Sequence, residues 1–100
     1  MVVTKTTIDP YIASSHYGES TSERIVFEGT KKECENFLLD EFNDLFQNEI
    51  YADSVGQAIR WSNKRRYFDG LYRNNYHGKN LFMHWDSRYW EIKFKKDVVK

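Results

Sequence analysis

Apolar residues recur at positions 34, 37, 38, 42, 45 and 46, which fall within one arc when the chain turns about 100° per residue. This spacing predicts an amphipathic helix over residues 31–47. Its start is marked by Thr30-Lys31-Lys32-Glu33. The Thr30 hydroxyl can accept the Glu33 amide while Glu33 reaches back to the Thr30 amide, which is a capping box. Ser54 and Gln57 repeat that spacing, and Val55, Ala58 and Ile59 share a face. A short second helix is therefore expected over 55–64, with a strand through Ile59 and Trp61 as the competing reading.

Elsewhere the pattern is that of strands. Arg24–Glu28 reads as one, and Tyr11–Tyr17 as its partner across a loose Ser14–Ser22 loop. Asp69-Gly70 between Tyr67-Phe68 and Leu71-Tyr72 is a two-residue hairpin signal. Leu81–Trp85 and Tyr89–Phe94 form a further hairpin around Asp86-Ser87. A two-residue loop there pairs Trp85 with Arg88, Met83 with Trp90 and Leu81 with Ile92, so the apolar residues share a face. A slip of one residue would turn that face outward. Tyr89, Glu91, Lys93 and Lys95 are then expected to face water. The fold class is α+β: an antiparallel sheet of four to six strands packed on one long helix, in the order ββα(α)ββ.

Composition narrows the function classes. One hundred residues make one domain over 1–100, and 17% aromatic content supplies enough burial to offset chain entropy. Glycine and proline are scarce, at five and one, and no repeat or low-complexity linker divides the chain. No apolar run approaches the ~18 residues of a membrane span. The opening Met-Val-Val-Thr-Lys-Thr-Thr has no apolar signal core, so the expected location is cytoplasmic. A single cysteine, Cys34, cannot form an internal disulfide, and its place on the apolar arc assigns it to the core rather than to nucleophilic chemistry. His16, His77 and His84 lack partners at metal-ligand spacing, so no metal or cofactor is expected.

The net charge of zero conceals a division. Residues 1–55 carry four bases against eleven acids, a net of −7, and residues 56–100 carry the reverse. Either the halves attract each other within one domain, or they make two faces of opposite sign for partners. The acidic candidates are Glu33, Asp40 and Asp44, on one flank of the long helix. The basic candidates form a tract in which cations and rings interleave: Arg60, Trp61, Lys64, Arg65, Arg66, Tyr67, Tyr72, Arg73, Tyr76 and Lys79. Cations of this kind contact phosphates and rings stack on bases. In an Asp69-Gly70 hairpin Arg66 would stand opposite Arg73, an unfavourable pair that an anion would relieve. Overall neutrality weighs against nucleic acid, and the acids of the first half would repel the same polyanion.

The stretch Arg24-Ile25-Val26-Phe27-Glu28-Gly29-Thr30-Lys31-Lys32-Glu33-Cys34-Glu35-Asn36-Phe37-Leu38 resembles the strand, Gly-Thr turn and helix start of small uncharacterised phage and mobile-element proteins. The resemblance carries no site residue. It implies an accessory protein or inhibitor that engages a host macromolecule. Taken together, the expectation is a non-enzymatic binding protein acting on a protein partner through charged faces. A nucleic-acid-binding module using residues 60–79 is the alternative. A third reading is a small metal-free nuclease or toxin using His77 or His84 with Arg73.

Overall fold

A computed structural model describes residues 1–8, 21–74 and 79–98. Strands β1 (Val2–Ile8) and β2 (Thr21–Glu28) are followed by helices α1 (Lys31–Leu45) and α2 (Val55–Arg65). Strands β3 (Gly70–Arg73), β4 (Leu81–Trp85) and β5 (Arg88–Lys93) come next, and then a single 3₁₀ turn, Lys95–Asp97. The five strands make one antiparallel sheet in the order β2-β1-β5-β4-β3.

The α+β class holds, but the order is ββααβββ and the sheet rests on two helices rather than one long one. Both capping residues work as expected. Thr30 Oγ1 accepts the Glu33 amide at 3.1 Å and Glu33 Oε1 accepts the Thr30 amide at 2.8 Å. Ser54 Oγ accepts the Gln57 amide at 3.2 Å, while Gln57 reaches back one residue further, to the Asp53 amide. With that cap in place residues 59 and 61 are helical, and the competing strand is not formed.

The strand expected at Tyr11–Tyr17 lies outside the described residues. Among the described residues, β2 pairs with β1, at the start of the chain. Its Val-Val-Thr-Lys-Thr-Thr-Ile sequence is rich in β-branched residues, whose stiff side chains suit a pleated sheet. A bulge at Val26 lets Phe27 pair with Val3 and stack on Phe37 of α1, ring centroids 4.8 Å apart.

The β4–β5 register is the expected one, with Met83 opposite Trp90 and Trp85 opposite Arg88. This fixes two faces. Val3, Trp90, Ile92, Met83, Leu81 and Leu71 point towards the helices and bury Cys34, Leu38, Phe42, Phe46, Ala52 and Ala58 against them. The other face carries two cross-strand rows, Thr4–Glu91–Phe82–Tyr72 and Thr6–Tyr89–His84–Gly70. The helix linker is tied down by Asn43, whose amide donates to Ala52 O at 2.9 Å and accepts from Ala52 N at 2.8 Å.

The Asp69-Gly70 hairpin does not form. Arg66 ends α2 in the left-handed conformation (φ 58°), residues 66–69 are a connection, and Gly70 opens β3 opposite His84. Pairing with β4 buries Leu71 beside Met83, which a local hairpin could not do. The Asp69 carboxylate accepts the Asp86 amide of the β4–β5 turn at 3.2 Å.

Candidate functional site: a ring-lined hollow beside β3

The site is built on the face away from the helices. In the cross-strand rows, Tyr72 meets Phe82 (5.7 Å between centroids), Phe82 meets Tyr89 (5.8 Å), and Tyr89 meets His84 (4.6 Å). The second row ends at Gly70, which has no side chain, and the Phe68 ring packs on His84 at 4.0 Å. Tyr67, Phe68, Tyr72, Phe82 and His84 line a shallow hollow of about 290 Å³. Phe68 is 72% exposed and Tyr67 66%, although each rests on a half-buried side chain, His84 and Arg65 respectively. Towards β1 the same face is closed, with Val2 and Thr4 buried.

Some polar groups around the hollow are already committed. Tyr72 donates its hydroxyl to Tyr67 O at 2.8 Å, which holds the 66–69 connection over the sheet. Burial pushes the Tyr72 phenol above its usual value and holds the His84 imidazole below 6.5, the latter opposed by the nearby Asp69 carboxylate. Tyr89 donates to Glu91 at 3.3 Å, and its phenol is pushed up to about 12, first by burial and then by that carboxylate. Tyr89, Glu91 and Lys93 are half-buried rather than facing open water. Lys93 bridges Glu23 (2.8 Å) and Glu91 (3.4 Å).

The basic–aromatic tract is not one surface. Trp61 packs edge-on against Phe42 and Phe46 at the rim of the core. The Arg65 guanidinium lies 4.2 Å from the Trp61 ring and 4.9 Å from the Tyr67 ring, and pairs with Glu49 at 3.6 Å. Arg73 points to the helix side, bonded to Glu35 (3.3 Å) and to Lys79 O (2.8 Å). Arg60, Lys64, Arg66 and Lys79 are exposed, and Tyr76 lies outside the described residues. The expected opposition of Arg66 and Arg73 is absent because the hairpin that required it does not form. Of the tract, Tyr67 and Tyr72 line the hollow. Phe68, Phe82 and His84 were missed as binding candidates. Phe68 sits beside Tyr67 in sequence, but its partners come from β4, more than ten positions on.

The acidic flank divides similarly. Glu33 caps its helix, which lowers its carboxyl through the hydrogen bonds with Thr30. Asp40 and Asp44 are exposed on α1, across the sheet from the hollow. No basic residue occupies the last turn of α1, but Arg65 of the second half lies over the ring of Phe46, the C-cap of that helix, and pairs with Glu49. Four of the five ion pairs among the described residues join the two halves of the chain: Arg65–Glu49, Arg73–Glu35, Lys93–Glu23 and Lys95–Glu28.

His84 and Arg73 lie on opposite faces of the sheet, so the pair considered for acid–base chemistry is not brought together. His77 lies outside the described residues. Cys34 is buried in the core, where loss of water pushes its thiol up. No group of three metal-type ligands occurs among the described residues, and no helix is long and apolar enough to cross a membrane. A larger cleft of about 520 Å³ between Met1, Leu81, Ile92 and Phe94 is bordered by Glu91 and Lys93, which already satisfy each other. Comparison with family models, with curated proteins and with solved structures finds no match.

Proposed function

We propose that this chain is a small non-enzymatic binding module that recognises a macromolecule through the hollow beside β3. The observation that carries the reading is the pair Tyr67 and Phe68, exposed on the rim of a ring cluster. Two adjacent aromatic side chains left in water forgo the burial that would stabilise them, roughly 1.5–3 kcal/mol for a ring of this size. Contiguous apolar patches of this kind mark interaction sites. The charged faces play a smaller part in this reading, because four acids of the first half are partnered by bases of the second.

The test is affinity capture from a cell lysate with the wild type and with Phe68→Ala. Truncating an exposed ring leaves the fold intact, so equal melting temperatures are expected. Material retained by the wild type and lost by the variant supports the reading. Equal retention by both places recognition elsewhere.

A further inference from the structure

We draw no further inference here: the strongest candidate, the cluster of Lys5, Arg24 and Arg88 on the helix-side face of β1, β2 and β5, where Lys5 stands opposite Arg24 and no carboxylate pairs with any of the three among the described residues, carries nothing because nothing in the structure shows what covers it.

Discussion

The buried hydroxyl of Ser62 in α2 accepts the Leu71 amide of β3 at 3.0 Å and donates to Ala58 O at 2.8 Å. This one contact docks the last turns of α2 on the edge of the sheet. It also sets the short span over which the 66–69 connection must carry Tyr67 and Phe68 to the other face. Gly70 is part of the same joint. Its φ is +153°, and a Cβ there would come within 2.7 Å of Ser62 Cβ.

Gly70→Ala is therefore expected to destabilise by about 2–4 kcal/mol, through an unfavourable backbone conformation and a clash with backbone-anchored Ser62. Ser62→Ala leaves the Leu71 amide buried without an acceptor and should cost about 1–3 kcal/mol. Denaturant unfolding of the two variants measures both. A Gly70→Ala variant as stable as the wild type would mean that helix and edge strand are not in contact as described.

Salt is expected to lower stability. The four ion pairs between the halves are partly exposed, and pairs of that kind contribute about 0.2–1 kcal/mol each. Screening them between ~20 mM and ~500 mM NaCl should lower the melting temperature by several degrees. A melting temperature that is flat or rises over that range would show that the pairs do not hold the halves together.

Acid should also lower stability, through His84. Burial holds its imidazole below 6.5, so in the native state it resists a proton that the unfolded chain accepts. Its contribution is present above the ordinary value and is lost as pH falls through 6.5 towards the depressed native value. His84→Phe keeps a ring in the cluster and removes the titration. The loss of melting temperature from pH about 7.5 to about 5.5 should be smaller in that variant than in the wild type. Equal losses would mean that His84 titrates alike in both states.

The helices and the β4–β5 pair were legible because their signals are local. Thr30 and Ser54 announce the two helix starts, and the alternation of Leu81, Met83, Trp85, Trp90 and Ile92 sets one register. The strand at Val2–Ile8 was carried by β-branched residues with little apolar alternation. It was passed over because Lys5 and the threonines disguise a segment whose Val2, Val3 and Thr4 are all buried. Asp69-Gly70 misled for a different reason. The turn signal competes with a non-local pairing that buries Leu71, and the pairing with β4 prevails. Of the site, Tyr67 and Tyr72 were named with the basic tract. Phe82 and His84 were hidden because only the sheet order brings β4 beside β3. Four ion pairs such as Arg73–Glu35 join the two halves of the chain, and no spacing rule could have named them.

In the function proposed, the partner is met at Phe68 and not on the acidic flank of α1. The most direct measurement is crosslinking in cells with a photoreactive phenylalanine analogue placed in turn at positions 68 and 44. Position 68 lies on the rim of the hollow and position 44 is exposed across the sheet. A discrete adduct is expected from position 68, abolished when Tyr67 is also changed to alanine, and none from position 44. An adduct from position 44 with none from position 68 would contradict it.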